Sequence, residues 1–242
     1  VDIPTVRHDE EGNSIYDTIP IGMIVMPDCF VTICLEENPI FERFINQRIK
    51  EFYTFKKTRF ALQLLYTIST YYLRYLKQIN RKTIDLEHQL NQSMKNKEIF
   101  TLLGLEKSLV YFTTSLKANK IVIQKLMRNS TFLKMYEDDQ DLLEDVLIEN
   151  KQAIEMAEIY SHILSGMMNT FSSVISNNLN SVMKLLTSIT IILSLPTMVS
   201  SFFGMNVKVP FEGEAHGFVI VLIICVTLSF TLAFVFWKKR YF

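Results

Sequence analysis

Two stretches close to the C-terminal end contain no Asp, Glu, Lys or Arg: Leu185–Val207 and Gly217–Trp237. Each is about the ~20 residues a helix needs to cross a hydrocarbon core. Only Gly204–His216 separates them, so they form a hairpin of two spans. Two buried helices of a water-soluble core would more often show one polar face. Lys184 precedes the first run and Lys238-Lys239-Arg240 follow the second. Cationic flanks favour the cytoplasmic side, which places both ends in the cytoplasm and the Gly204–His216 loop outside. Trp237 and Tyr241 suit the aromatic belt at the inner interface.

The first run and the segment before it share a second pattern. Stepping back from Ser201 by alternating four and three residues gives Thr197, Ser194, Thr190, Thr187, Met183, Asn180, Ser176, Ser173, Asn169, Gly166 and His162. That spacing keeps them on one face of a helix. None is charged at neutral pH and none is a branched aliphatic. The other faces of the upper part carry Leu185, Leu186, Ile189, Ile191, Ile192, Leu193, Leu195, Val199, Phe202 and Phe203, with Ser188 and Ser200 as exceptions. A single Ser or Thr in a membrane helix often bonds its own backbone or marks helix packing. Five hydroxyls on one stripe are what the wall of a watery pore requires. Two spans cannot enclose a pore, so several copies must surround it.

The remaining chain reads as mostly helical. Its 25 basic and 25 acidic side chains cancel, which argues against nucleic acid as a partner. Ile19–Met26 and Phe30–Leu35 have strand character around the turn signal Pro27-Asp28. Two strands alone are marginal, so they suggest the tail of a larger α/β domain, in a chain that opens on Val1 and shows no signal-peptide pattern. Asn38-Pro39 opens a short helix through Gln47, Phe52–Ser93 and Lys97–Arg128 pair as antiparallel helices, and a third helix runs from about Asp138 to Phe203. At 1.5 Å per residue that third helix is on the order of 100 Å long, both stalk and membrane span. The charges of the helical pair read as solvated surface. Cys29, Cys34 and Cys225 are scattered, without disulfide or zinc spacing. There is no phosphate loop, catalytic triad or thiol–imidazole cluster, so an enzyme is not expected.

Two further constellations bear on metals. Glu137, Asp138, Asp139, Asp141, Glu144, Asp145, Glu149, Glu155 and Glu158 crowd the start of the long helix, with only Lys151 among them. The helix dipole accounts for the first turn alone. Repeated around a ring, the others would repel unless hard cations such as Mg²⁺ or Ca²⁺ bound between copies. At the other end, Gly204-Met205-Asn206 places an amide and free carbonyls at a pore mouth, where they can accept hydrogen bonds from the water shell that Mg²⁺ sheds reluctantly. Glu212 and Glu214 in the outer loop would raise the local cation concentration, or are ordinary loop charges.

The run Ser176-Asn177-Asn178-Leu179-Asn180-Ser181-Val182-Met183-Lys184-Leu185-Leu186-Thr187 resembles the stalk-to-membrane signature of the CorA family of magnesium channels. Leu195-Pro196-Thr197, Phe203-Gly204-Met205-Asn206-Val207 and the basic tail complete the likeness, over about Asp138–Phe242. The resemblance implies a homopentameric funnel, an N-terminal α/β cytoplasmic domain and a pore lined by the first span. It implies selection of hydrated Mg²⁺ at a ring of Asn206, with Co²⁺ and Ni²⁺ as surrogates, and a regulatory metal site between subunits that includes Asp145, with Glu149 beside it. Lys208-Val209-Pro210-Phe211-Glu212-Gly213-Glu214 departs from the family's common acidic loop, and Phe203 stands where a tyrosine is more usual. Ser194 sits where a bulkier apolar residue is often found, so a hydrophobic constriction lies there or lower, at Met183 and Leu186.

The expectation is a mainly α membrane protein of the cell membrane, with a partial α/β cytoplasmic domain. It assigns 1–48 to the remnant of that domain, 49–130 to the helical pair, 131–184 to the stalk and 185–207 to the pore-lining span. Residues 208–217 form the outer loop, 218–237 the second span and 238–242 the basic cytoplasmic tail. The pore face comprises Asn180, Met183, Leu186, Thr187, Thr190, Ser194, Thr197 and Ser201. The expected activity is passive, potential-driven divalent-cation uptake gated by cytoplasmic Mg²⁺. A zinc exporter of the same superfamily and a membrane-anchored scaffold without transport are the alternatives; Met205 speaks against the first, because zinc exporters usually depart from Met there.

Overall fold

Three antiparallel strands open the chain: β1 (Asp2–His8), β2 (Ser14–Val25) and β3 (Phe30–Cys34). They form one sheet in the order β1-β2-β3, with Asp2 opposite Pro20 and Ile21 opposite Cys34. The structure is a computed structural model describing residues 1–8, 12, 14–26, 28–92, 96–128, 135–206, 210 and 216–239. Among these residues five helices follow: α1 (Pro39–Ile45), α2 (Lys57–Gln92), α3 (Asn96–Arg128), α4 (Glu137–Phe203) and α5 (Gly217–Lys238). The chain divides into two compact units, residues 1–168 and 169–242.

The first unit holds the sheet, α1, α2, α3 and the beginning of α4. Strand β1 was not apparent in the sequence, where Pro4 and alternating polar residues mask it. Besides its ladder with β2, the Asp2 backbone donates to Asn119 Oδ1 at 2.8 Å and accepts from Asn119 Nδ2 at 2.7 Å and Tyr72 Oη at 3.1 Å. A buried side-chain amide from α3 thus does for β1 what a further strand would do. Tyr16 of β2 packs edge-on to Phe112 of α3, with ring centroids 6.4 Å apart, and tilted against Tyr75 of α2 at 5.9 Å. Tyr72 meets Phe112 at 5.0 Å, so the tyrosine-rich face of α2 is the surface that receives the sheet and α3. Burial holds the Tyr72 phenol well above its usual pKa.

Helix α1 starts where Asn38 caps it, accepting from the Ile40 amide at 3.0 Å while its own amide donates to the Pro4 carbonyl at 3.1 Å. Pro39 occupies the first helical turn, where a missing N–H costs nothing. Helix α2 begins at Lys57, not Phe52 as its periodicity predicts, because Phe52 packs with Phe44 at 5.2 Å and Phe60 at 4.9 Å. The early part of α4 joins this unit through Leu143 and Val146, which cluster with Leu62, Leu65 and Ile123. Buried Asn150 donates to the Leu116 carbonyl at 3.2 Å.

The second unit contains the rest of α4 and α5. Both helices are long and apolar enough to cross a membrane, and only 6 % of the most apolar window of each is buried within the chain. A core helix of a soluble protein would pass the same length test with most of that window covered. Phe218, Phe230 and Leu193 are 79 %, 74 % and 65 % exposed. Such surface demands lipid or further protein around it.

Candidate ion pathway and metal-binding residues

Within the second unit, one side of α4 is covered and the other is open. Ser188 is 1 % exposed, and Ile192, Leu195, Pro196, Val199 and Phe203 are half-buried. Helix α5 approaches this side, with Cys225 Sγ 3.9 Å from the Pro196 carbonyl. All eight expected pore-face residues, Asn180, Met183, Leu186, Thr187, Thr190, Ser194, Thr197 and Ser201, are exposed. At roughly 100° per residue, the hydroxyl positions centre about 170° around α4 from the covered positions. The polar seam therefore points away from α5, and Ser188, off the seam, satisfies itself by donating to the Lys184 carbonyl at 2.7 Å.

The seam hydroxyls bond their own backbone. Thr190 donates to the Leu186 carbonyl at 2.8 Å, Ser194 to Ile191 at 3.0 Å and Thr197 to Leu193 at 3.0 Å. This contact is the ordinary accommodation of a hydroxyl in an apolar helix. It also has a chemical consequence, since the proton is committed to the helix and the oxygen lone pairs remain to accept from outside. A hydrated cation presents only O–H donors, so a row of acceptors matches its shell. Pro196 lies inside α4 and cannot bond the carbonyl four residues earlier.

At the end of α4, the Gly204 amide is shared between the Ser200 carbonyl at 3.0 Å and the Ser201 carbonyl at 3.2 Å. The helix ends in a tightened turn, and Gly204 does not take the left-handed conformation usual for a terminal glycine. Glycine is used here for closeness: a Cβ would meet the Ser200 oxygen at 3.3 Å. Met205 and Asn206 follow, both exposed. Glu212 and Glu214 lie outside the described residues, as do Arg240 and Tyr241.

In the first unit the acidic start of α4 separates into two groups. Asp139 is a structural residue, 4 % exposed, accepting from the Tyr136 amide at 3.2 Å and lying 4.0 Å from Arg59. Glu155 pairs with Lys151 at 3.7 Å and Glu158 with Lys117 at 2.7 Å. The hydrogen bond and charge of Lys117 lower the Glu158 pKa from its ordinary value. Asp138, Asp141, Glu144, Asp145 and Glu149 form no ion pair among the described residues. Partial burial, followed by the charges of Glu149 and then Asp145, raises the pKa of Tyr66 on α2. The structure thus brings Asp145 and Glu149 to a common neighbour that the sequence did not single out. Among the described residues no three His, Cys, Asp or Glu side chains are grouped to hold a metal, so a metal at Asp145 needs donors from outside this set.

A family model covers nearly the whole chain, Gly204-Met205-Asn206 included. The description "CorA-like Mg²⁺ transporter protein" matches residues 3–240. The chain belongs to this CorA-like family. The cobalt/magnesium transport protein CorA of Methanocaldococcus jannaschii is 30 % identical over 174 residues, 72 % of this chain and 55 % of that protein. The CorA protein of Thermotoga maritima is 28 % identical over 147 residues, 56 % of this chain and 42 % of its own length. The chain spans about half the length of these CorA relatives. The complete structure of the CorA magnesium transporter from M. jannaschii aligns with a TM-score of 0.76 at 24 % identity, covering 99 % of this chain and 80 % of that one. At that identity the likeness establishes the CorA fold, including the two C-terminal candidate spans.

Proposed function

We propose that copies of this chain form a ring, a homopentamer as the CorA resemblance implies, and conduct hydrated Mg²⁺ along the seam from Asn206 to Asn180. The observation that carries this reading is the opposition of the two faces of α4. With α5 against the covered face, only the hydroxyl seam remains to face a central axis, and lipid meets the apolar remainder. The ring then places the first span inside and the second outside, with residues 1–168 and the basic tail on the cytoplasmic side of the cell membrane.

Gly204, Met205 and Asn206 form the entry filter. The Asn206 amide oxygen and the carbonyls freed at the helix end accept from the ion's water shell without binding the ion as a ring of carboxylates would. Glu212 and Glu214 draw cations toward it. Thr197, Ser194, Thr190 and Thr187 then hand the hydrated ion along by accepting from its waters. A doubly charged ion gains about 4.6 kcal/mol per 100 mV on entering an inside-negative cell, twice the single-charge value. Uptake then needs no enzymatic coupling. Co²⁺ and Ni²⁺, with similar hydration, follow the same route.

Asp145 and Glu149 act as the cytoplasmic sensor. Their carboxylates are suited to Mg²⁺, and a neighbouring copy supplies the remaining donors, so ion binding holds the ring closed. Flux of Mg²⁺ into proteoliposomes containing the intact protein tests both assignments at once. Asn206→Ala is expected to abolish flux, and Asp145→Asn to remove inhibition by internal Mg²⁺ while flux persists. Unaltered flux in Asn206→Ala would instead favour a scaffold without transport. Paired assays with Zn²⁺ separate the exporter alternative: outward Zn²⁺ transport in preference to Mg²⁺ uptake would establish it.

A further inference from the structure

Helices α2 and α4 border a groove of about 560 Å³ in the first unit, and its wall is cationic. Arg74, Lys77 and Arg81 line it from α2, with Thr70 on the same face, while Glu149 and Gln152 line it from α4. The α2 positions recur at four, three and four residues, which stacks them on one helix stripe. Three cations therefore face one carboxylate. Among the described residues none of the three forms an ion pair, and Arg74 is held over the Tyr71 ring at 5.4 Å.

Like charges on adjacent turns repel, and a helix whose surface charge were needed only for solubility would intersperse both signs. Some basic side chains of this unit have carboxylate partners: Arg59 pairs with Glu51 at 2.8 Å and Lys117 with Glu158 at 2.7 Å. Arg74, Lys77 and Arg81 are set apart by sharing one groove, and a row of unpaired cations in a concavity is complementary to an anion that carries several charges. From Arg74 to Arg81 the helix rises about 10 Å, more than a single phosphate spans. Guanidinium groups can each grip a phosphate through two parallel hydrogen bonds, with the lysine between them as a point charge. Thr70 and Gln152 offer uncharged polar groups beside them.

We propose that this groove binds a soluble oligophosphate anion of the triphosphate class, such as a nucleoside triphosphate. Arg74, Lys77 and Arg81 hold successive phosphates, and Glu149 opposes the bound charge. The assignment stands on the groove and not on the ion pathway; it shares Glu149 with the proposed sensor and requires that the neighbouring copy at Asp145 leave the groove open.

The test is calorimetric titration of the full chain in nanodiscs with sodium tripolyphosphate and with ATP, in metal-free buffer. Both are expected to bind saturably, more weakly as salt rises. The double variant Lys77→Gln, Arg81→Gln should weaken binding at least tenfold, and Glu149→Gln should tighten it severalfold. Equal affinity in the double variant, or inorganic phosphate binding as tightly as tripolyphosphate, would overturn the proposal. Acetylation of Lys77 by a water-soluble amine reagent should be fast in the free protein and protected by tripolyphosphate. A Lys77 that is unreactive before any anion is added, as when another copy covers the groove, contradicts it. Titrations in discs of neutral lipid and in discs containing phosphatidylglycerol should agree; loss of binding in the anionic discs would make a lipid headgroup the occupant and reject the soluble ligand.

Discussion

In the unit of residues 1–168, Phe112 and Leu116 are 0 % exposed, whereas in the unit of residues 169–242 Phe230 is 74 % and Leu193 65 % exposed. Buried amides of the first unit find partners, as Asn119 does with Asp2 and Asn150 with Leu116. The second sets its aliphatic side chains outward and bonds its seam hydroxyls to their own helix. The contrast teaches that one half carries its solvent-excluded core within a single chain. The other half leaves its apolar side chains for surroundings outside the chain to cover, and in the proposed pore one stripe of α4 faces water.

The largest expected effect falls on the first unit. Phe112→Ala should cost about 3–5 kcal/mol, because it empties the centre of the Tyr16–Tyr72–Phe112 packing. Phe230→Ala, an equal truncation on an exposed face of α5, should change stability by about 0.5 kcal/mol or less. Urea-dependent pulse proteolysis of the two variants in detergent measures both. Equal losses would dissolve the distinction between the units.

A smaller effect divides the two faces of α4. Thr190→Leu replaces a seam acceptor with an apolar side chain and should cut Mg²⁺ flux roughly tenfold or more, since apolar constrictions dewet. Val199→Leu, on the covered side, should leave flux within about twofold, because the position stays apolar and lies on the side of α4 away from the proposed pathway. Proteoliposome flux read side by side would break the comparison if Val199→Leu were the more damaging.

The smallest expected effect is electrostatic and lies at the Lys117–Glu158 pair. The Glu158 pKa is lowered from 4.5 in the folded chain by Lys117. Its contribution is therefore fully present above the unfolded carboxylate pKa and disappears as pH falls through the lowered value. Lys117→Met should reduce stability slightly at neutral pH and leave it unchanged in more acidic solution. Denaturation midpoints across that range check the sign, and the pair's exposure keeps the effect small.

What could be read in the chain before folding follows the same division. The long helices and both candidate spans were legible because charge-free runs and hydroxyl spacing are local patterns, and α4 begins and ends within a residue of the expected Asp138–Phe203. Strand β1 was hidden because its pattern is masked by Pro4 and polar residues, and its outer edge is met by Asn119, more than a hundred residues away. The start of α2 was misplaced because Phe52 answers to Phe44 and Phe60, not to helical periodicity. Asp139 looked like any other member of the acidic run until its partners, the Tyr136 amide and Arg59, were seen. The charges of Arg74, Lys77 and Arg81 read as solvated surface because only the packing of α4 beside α2 turns their stripe into a groove. Hydroxyls along α4 were visible in the sequence, but their position opposite the covered face was not, since that depends on which side α5 approaches.

The central claim is that the seam of α4 faces water while the opposite side does not. Its most direct test is thiol labelling of intact protein in proteoliposomes with a membrane-impermeant reagent, after Cys29, Cys34 and Cys225 are replaced by Ala. Cysteines placed singly at Thr187, Thr190, Ser194, Thr197 and Ser201 should react and be protected by high Mg²⁺, while those at Ile192, Leu195 and Val199 should stay unlabelled. Seam cysteines that never react, with or without Mg²⁺, would contradict the account.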